Sequence, residues 1–139
     1  MSVHPIVVAV KAVIIHDDRF LVIKRAADDE ISPGTWELVG GKLDFGETLE
    51  HALEREIFEE VGLRVIVQQL LYATTFLTDP KRQVVIMTYS AHSVATTVTL
   101  SAEHTDARWV TADEARQLLH WPILDDLDSH DVWALLRSK

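Results

Sequence analysis

The amino-acid sequence predicts an α/β fold in which helices flank a mixed β-sheet. Segments rich in Val and Ile, which are typical of strands, are interspersed with segments whose apolar residues recur at helical spacing. A short turn joins the first two strand-like segments as a hairpin, whereas longer connections separate the others. Because hairpins give antiparallel pairs and longer connections permit parallel ones, both directions are expected in one sheet that helices cover.

Six segments are predicted to be strands. They cover residues 6–15, 20–23, 36–39, 65–76, 84–94 and 107–110. A turn at residues 16–19 closes the hairpin between the first two. Two polar loops are also predicted, one over residues 26–34 and one that begins at Gly40 and Gly41 and runs to Glu47.

The clearest helix is predicted over residues 48–61. Thr48 is a suitable N-cap, and Gly62 stands directly after the last periodic residue, where a left-handed conformation is favoured. Four apolar residues recur every four positions and form one stripe: Leu49, Leu53, Ile57 and Val61. This stripe is the predicted buried face of the helix.

Two shorter helices are predicted towards the C-terminus. Thr111 and Glu114 have the spacing of a capping box, which opens a helix that runs to about Leu119. A final helix is predicted over residues 131–137.

Composition and charge narrow the class of protein. The chain has 139 residues, 47% apolar and 25% charged, with no dividing linker or repeat, which predicts one globular domain over residues 1–139. It contains no cysteine, so disulfides and thiolate sites are excluded. The net charge is −9 with no basic stripe, so a nucleic-acid polymer is not an expected partner. A polyphosphate substrate would also be repelled unless a metal cation stood between.

The sequence also predicts where the protein acts. No apolar run approaches the roughly 18 residues that a membrane span needs, so no membrane partner is expected. Residues 1–10 lack the basic segment and the small-residue cleavage site of a signal peptide. Together with the absence of cysteine, these observations favour a cytoplasmic location.

Three glutamates of the predicted helix, Glu56, Glu59 and Glu60, lie at the margin of its apolar stripe. Two carboxylates about 5 Å apart in a cleft repel each other by roughly 3 kcal/mol at an effective dielectric constant of about 20. A divalent cation would offset this repulsion, and oxygen ligands at this density suit Mg²⁺, with Mn²⁺ as a substitute. On the helix alone, the alternative of a solvated acidic face with an ordinary Arg55–Glu59 pair stays open.

The helix belongs to a longer motif. Residues 41–63 read GKLDFGETLEHALEREIFEEVGL and resemble the Nudix box, in which Gly, five residues, Glu and seven residues precede Arg-Glu-aliphatic-x-Glu-Glu-x-Gly-aliphatic. Every defined position of that pattern is filled. The flanking segments, RAADDEISPGTWELVGG and SAEHTDARWV, are similar to small members of the MutT-like branch. The resemblance implies an α/β/α sandwich with a mixed sheet, and cleavage of a nucleoside diphosphate that is linked to another group.

The resemblance also implies roles for individual residues. Glu56, Glu59 and Glu60 become metal ligands, and the backbone carbonyl of Gly40 becomes a further ligand. The metal would neutralise the polyphosphate and lower the pKa of a bound water, whose proton a carboxylate would accept. That carboxylate is either a glutamate of the box, such as Glu59, or Glu103, which lies six residues before a Trp-aliphatic pair.

Other positions of the motif support these. Arg55 is counted with the catalytic residues by its place in the motif, although with Glu47 it is expected to brace the loop against the helix. Gly41, Glu47 and Gly62 are expected to be structural. His104 is not needed for the implied chemistry, and we expect it to be an ordinary polar residue.

Four residues are candidates for binding the substrate. Lys24 and Arg25 are expected to contact phosphate or base, since MutT-like proteins carry an arginine at the Arg25 position in the nucleotide pocket. The alternative is that they are edge-strand residues with exposed charges. Trp36 and Phe76 could stack on a base, or could simply fill the core.

The combined prediction is a Mg²⁺-dependent pyrophosphohydrolase of nucleoside triphosphates that releases the monophosphate and pyrophosphate. One alternative is an ADP-ribose or dinucleotide polyphosphate pyrophosphatase, for which Pro80, 17 residues beyond Leu63, is a weak sign. Another is a catalytically silent module that only binds a nucleotide. A homodimer is left open.

Overall fold

The computed structural model of the chain describes residues 4–28, 33–79 and 81–137. Within these ranges the chain forms seven strands and four helices: β1 (Ile6–His16), β2 (Arg19–Arg25), β3 (Trp36–Glu37), β4 (Val39–Lys42), α1 (Leu49–Val61), β5 (Ile66–Asp79), β6 (Arg82–His92), β7 (His104–Val110), α2 (Ala112–Leu118), α3 (Trp121–Ser129) and α4 (Ala134–Arg137). Pro80 and part of the loop at residues 26–34 lie outside the described residues.

The seven strands form one mixed sheet, as the sequence predicts. Its main order is β3-β2-β1-β6-β5, while β4 pairs with β1 and β7 pairs with β2. β1 runs parallel to β6 along ten residue pairs, from Ile6 to Ile15. The other pairs are antiparallel, including the predicted hairpin of β1 and β2.

Helices cover both faces of the sheet, which confirms the α/β/α sandwich. Alternate residues of β1 show the division, because Val10 and Ile14 pack in one core and Val13 in the other. The first core includes the buried face of α1, namely Ala52, Leu53, Ile57 and Val61. The second includes residues of α2, α3 and α4, namely Ala115, Leu127 and Leu136, together with Leu119, which directly follows α2.

The predicted helix ends are confirmed. The Thr48 side chain accepts the backbone N–H of His51 at 3.2 Å, and Gly62 ends α1 in the left-handed conformation with φ of +72°. Thr111 and Glu114 exchange the two hydrogen bonds of a capping box at the start of α2. These signals are local in sequence, and so they were readable without the structure.

Two expectations about the strands were wrong. Residues 36–39 are not one strand, because the chain leaves β3 at Glu37 and enters β4 at Val39. Gly40 and Gly41 do not open a loop, because both lie within β4 and pair with β1. Glycine inside a strand often marks a close approach of another group, and that is the case here.

The C-terminal helices also differ from the prediction. The sequence does not predict α3, because its N-cap His120 makes no side-chain capping bond and a proline, Pro122, stands in its first turn. Proline is nevertheless tolerated in the first turn, where its missing N–H is not needed. α4 begins at Ala134 rather than at residue 131. No helix in the described part of the chain is long and apolar enough to cross a membrane.

Candidate functional site

The candidate site lies where the sheet forks. β1 pairs with β2 only through Ile15 and His16, and further back along β1 the same edge is taken by β4. The chain passes from β3, which pairs with β2, to β4 across the single residue Leu38. α1 packs over this fork, and its glutamates therefore meet the backbone of β4.

Gly40 has a conformation that only glycine tolerates here. Its φ angle is +148°, and a Cβ at this position would overlap the carbonyl oxygen of Val10 on β1. The backbone N–H of Gly40 donates to Oε1 of Glu60 at 3.0 Å. A buried glutamate of α1 is thus tied to the strand that carries the predicted carbonyl ligand.

Gly41 leaves room for a second carboxylate. A Cβ at this position would overlap Oε1 of Glu56, so that carboxylate lies directly against the bare Cα of Gly41. Such a close approach of backbone and side chain requires a residue without a Cβ. The two glycines therefore bring Glu56 and Glu60 to one short stretch of backbone.

Burial sets the electrostatics of these two carboxylates. Glu60 is 8% exposed. Its burial raises its pKa to about 7, although Lys11 and the Gly40 N–H favour the charged form. Burial also raises the pKa of Glu56, against the hydrogen bond and charge of Arg55 and the charge of Lys11. A cation between such carboxylates would stabilise their ionised forms.

Arg55 binds three glutamates of the motif. Its guanidinium donates to both carboxylate oxygens of Glu47, at 2.7 and 2.9 Å, and its Nη1 donates to Glu56 at 3.1 Å and to Glu59 at 3.2 Å. The hydrogen bond from Arg55, aided by the N–H of Asp44, lowers the pKa of Glu47 to about 2. The same hydrogen bond to Glu47 is the main cause that raises the pKa of Arg55. This geometry ties the loop before α1 to the helix.

The donor set at the two glycines fits a hard divalent cation. The carboxylates of Glu56 and Glu60 and the carbonyl of Gly40 are the oxygen ligands that Mg²⁺ prefers. Among the residues that the structure describes, no three His, Asp or Glu side chains are placed to hold a metal ion together. Arg55 holds Glu56 and Glu59, so a cation bound by all three glutamates would have to take these two from it.

A second charged cluster, whose members Lys11 and Glu37 are not predicted from the sequence, lies beside the fork. The Glu37 carboxylate contacts Lys11 Nζ at 3.3 Å, Arg25 Nε at 3.2 Å and His104 Nε2 at 3.0 Å. Burial alone would raise the pKa of Glu37, but Lys11, His104 and Arg25 outweigh it and lower that pKa to about 2. The available signal was a charged residue between apolar neighbours, which is true of both Lys11 and Glu37.

Lys11 joins this second cluster to the glycines. Its Nζ also donates to the carbonyl of Leu38 at 3.3 Å and to the carbonyl of Gly40 at 3.4 Å. Its side chain is 16% exposed. A largely buried ammonium therefore lies beside the predicted carbonyl ligand.

Glu103 and His104 occupy the approach to β7. Glu103 is an exposed turn residue, and its carboxylate pairs with none of the described residues. His104 is buried, and its Nδ1 has no hydrogen-bond partner among the described residues. The same segment touches α1, because the N–H of Ser101 donates to the carbonyl of Glu60 at 3.0 Å.

The four predicted substrate contacts lie on different faces of the sheet. Arg25 is on the side of the glutamates, where it contacts Glu37. Lys24 pairs across the strands with Trp36, which belongs to the core under the C-terminal helices. Phe76 faces that same way by strand alternation along β5.

The two aromatic candidates differ in access. Trp36 is 8% exposed, and the guanidinium of Arg108 lies 5.1 Å from the centre of its ring. Phe76 is 46% exposed. A base could therefore reach the ring of Phe76 directly, whereas stacking on Trp36 would require Arg108 to move.

Comparisons with known proteins agree with this geometry. The NUDIX domain family matches residues 5–129. A MutT-like protein from Streptomyces ambofaciens is 34% identical over 79% of this chain and 67% of its own length. A nucleoside triphosphatase NudI from Enterobacter sp. (strain 638) is 30% identical over 76% of this chain and 82% of its own. The crystal structure of a MutT protein from Methanosarcina mazei Go1 shares the fold, with a TM-score of 0.84 and 24% identity over 94% of this chain and 96% of that one.

Proposed function

The chain belongs to the NUDIX domain family as a MutT-like Nudix hydrolase, and on that premise we propose that it is a Mg²⁺-dependent nucleoside triphosphate pyrophosphohydrolase. Nudix hydrolases generally use divalent metal ions. The observation that carries the proposal is the packing of Glu56 and Glu60 against Gly40 and Gly41, which brings two carboxylates to adjacent residues of one strand. Carboxylates are among the oxygen ligands that Mg²⁺ prefers. Mn²⁺ is expected to substitute for Mg²⁺.

Each residue has a part in the proposed reaction. The bound cation would supply charge neutralisation of the polyphosphate and a water of lowered pKa. Its ligands would be Glu56, Glu59, Glu60 and the carbonyl of Gly40. Arg55, fixed by Glu47, sets the positions of the Glu56 and Glu59 carboxylates, in the way that outer contacts orient metal ligands.

Two carboxylates are candidates to take the proton of the attacking water. Glu59 is 58% exposed and lies beside the other glutamates of α1. Glu103 is exposed on the turn before β7. Both are accessible to a substrate, and a general base must reach the proton that it removes. A Glu103→Gln variant with full activity would leave Glu59 as the base.

Nucleoside triphosphates are the proposed substrates. The NudI relative is named a nucleoside triphosphatase and shares 30% identity with the chain, which supports this class over ADP-ribose or dinucleotide polyphosphates. Arg25 is proposed to contact the nucleotide, because it lies on the side of the glutamates. Substrate contacts on the opposite face of the sheet also stay a proposal, for Lys24, Trp36 and Phe76. We also propose a single domain that acts on small nucleotides in the cytoplasm; a homodimer stays a prediction.

The test is a hydrolysis screen over nucleoside triphosphates, ADP-ribose and diadenosine polyphosphates, each with Mg²⁺. Glu59→Gln and Glu60→Gln are expected to abolish turnover while the fold is kept. Glu54→Gln is the matched control, since Glu54 is an exposed glutamate of the same helix outside the site. Normal hydrolysis by the Glu59 and Glu60 variants would contradict the ligand assignment. Nucleotide binding without turnover by the unmodified protein would favour a silent module.

A further inference from the structure

We propose that the ammonium group of Lys11 weakens the binding of a divalent cation to the nucleotide-free site, so that metal is held firmly only together with a polyphosphate. This inference rests on the proposed function, because it concerns the same metal ligands. It assigns a role to a residue that lies outside the sequence motif, on β1, the strand that pairs with β4.

Lys11 is fixed in place. It lies on β1 directly across from Gly40 of β4, and its Nζ has three oxygen partners: Glu37 Oε1 at 3.3 Å, Leu38 O at 3.3 Å and Gly40 O at 3.4 Å. Its side chain is 16% exposed. A charge that is held by three acceptors and largely buried cannot swing into solvent without losing those bonds.

The fixed ammonium lies close to any cation at this site. A Mg²⁺ or Mn²⁺ ion bound by the Gly40 carbonyl has a metal–oxygen distance of about 2.1 Å. Since Nζ is 3.4 Å from the same oxygen, the ion would lie at most about 5.5 Å from the ammonium. Like charges at that distance repel, and salt screens a largely buried pair only weakly. The charge of Lys11 also stabilises the ionised carboxylates of Glu56 and Glu60, so a bound cation would add less stabilisation to them.

The main alternative is that Lys11 increases, rather than decreases, the affinity of the site for metal. Lys11 would strengthen metal binding if its main effect were to hold the Gly40 carbonyl in position. Gly40 is already fixed without it, by its pairing with β1, by the N–H bond to Glu60 and by the Val10 carbonyl, which leaves no room for a Cβ. When Lys11 is replaced by an uncharged residue, the gain in metal affinity from the lost repulsion should therefore be larger than any decrease caused by losing one long hydrogen bond to the Gly40 carbonyl.

A polyphosphate changes the balance. Its negative charges compensate both the ammonium and the divalent cation, so the repulsion falls when nucleotide and metal are present together. The structure thus favours delivery of metal as a nucleotide complex, which would keep the empty site from retaining metal.

The experiment measures Mn²⁺ binding to nucleotide-free protein by the electron paramagnetic resonance signal of free Mn²⁺. Lys11→Met is expected to bind Mn²⁺ at least about tenfold more tightly than the unmodified protein, which corresponds to about 1.4 kcal/mol. Two control variants are expected to keep a Mn²⁺ affinity within about twofold of that of the unmodified protein. Lys11→Arg keeps the charge, and Arg19→Gln removes an exposed charge at the start of β2. Lys11→Gln, which retains an amide donor for the carbonyls, replaces Lys11→Met if that variant does not fold.

The outcomes separate the two proposals. Tighter binding by the uncharged variant alone supports the role of Lys11. Equal or weaker binding by that variant overturns it, while Mn²⁺ uptake that Glu60→Gln abolishes still supports the metal site. Failure of the unmodified protein and of every Lys11 variant to take up Mn²⁺, with or without a nucleoside triphosphate, overturns the metal-dependent function itself.

Discussion

The carboxylate of Glu60 accepts the backbone N–H of Gly40 at 3.0 Å, between two residues that are 20 positions apart in the chain. The bond joins α1 to β4 at the fork of the sheet. Glu60 is largely buried there, and Gly40 leaves no space for any side chain. The contact therefore places a carboxylate where an isolated negative charge is unfavourable, which is a cost that a cation would remove.

The first prediction concerns the stability of the metal-free protein. Burial raises the pKa of Glu60 to about 7, above the roughly 4.3 of an unfolded chain. Its stabilising contribution is therefore complete below about pH 4.3 and is lost as the pH rises through about 7. Glu60→Gln should be more stable than the unmodified protein at pH 8, by about 3–4 kcal/mol, with no such gain at pH 4.

Urea unfolding in the presence of a chelator, followed from pH 4 to pH 8, measures this difference. Glu54→Gln, an exposed change on the same helix, should show no comparable trend. Mg²⁺ added in large excess, as its weak binding to the nucleotide-free site requires, should stabilise the unmodified protein and not the Glu60 variant. The burial argument would be contradicted if the stability of Glu60→Gln relative to the unmodified protein were lower at pH 8 than at pH 4.

The second prediction concerns Glu37, whose pH dependence has the opposite sign. Its pKa is lowered to about 2, so its contribution is present above about pH 4.3 and is lost as the pH falls through about 2. Glu37→Gln should cost about 3 kcal/mol at pH 7, because Lys11, Arg25 and His104 lose their shared anion. Urea unfolding at pH 7 and pH 3 measures it, and an equal loss at both values would argue against the ion-pair origin.

The elements that the sequence predicted correctly are those with local signals. α1 and its caps follow from apolar spacing, Thr48 and Gly62, which all lie within a few residues of one another. The glutamates at the edge of its buried face follow from the same spacing. The ordering of their burial, with Glu60 inside and Glu59 outside, depends on which strand lies beneath the helix.

The features that the sequence did not predict depend on the register of the sheet. Lys11 and Glu37 are 26 residues apart and meet because β4 displaces β2 from the edge of β1. The same displacement puts Gly40 and Gly41 inside a strand, where their sequence suggested a loop. α3 lacked a capping signal at His120. Pairing between distant segments cannot be read from one sequence by local patterns.

The third prediction separates steric overlap from backbone strain. Gly40→Ala would combine a φ of +148° with overlap between its Cβ and the Val10 carbonyl, in a fully paired strand. Gly46→Ala meets no atom within 4 Å but also has a positive φ, of +90°. We expect about 1–2 kcal/mol of destabilisation for Gly46→Ala and at least about 3 kcal/mol more for Gly40→Ala. Thermal unfolding of both variants measures the difference. Similar destabilisation by the two substitutions would show that β1 and β4 can move apart at a small cost in free energy.

The last prediction uses Gly41 to displace one ligand without unfolding the protein. Gly41 has an ordinary backbone conformation, and the three atoms nearest to a Cβ there all belong to the carboxylate of Glu56, the flexible end of a long side chain. Gly41→Ala should therefore fold with nearly unchanged stability but lower Mn²⁺ affinity and turnover by about 10–100-fold, since Glu56 must leave its place. Calorimetry with Mn²⁺ and thermal unfolding measure the two effects. In a protein that already carries Glu56→Gln, Gly41→Ala should cause little further loss of Mn²⁺ affinity, because both changes act through the same carboxylate. If the losses caused by the two changes were fully additive, Glu56 would lie outside the metal site.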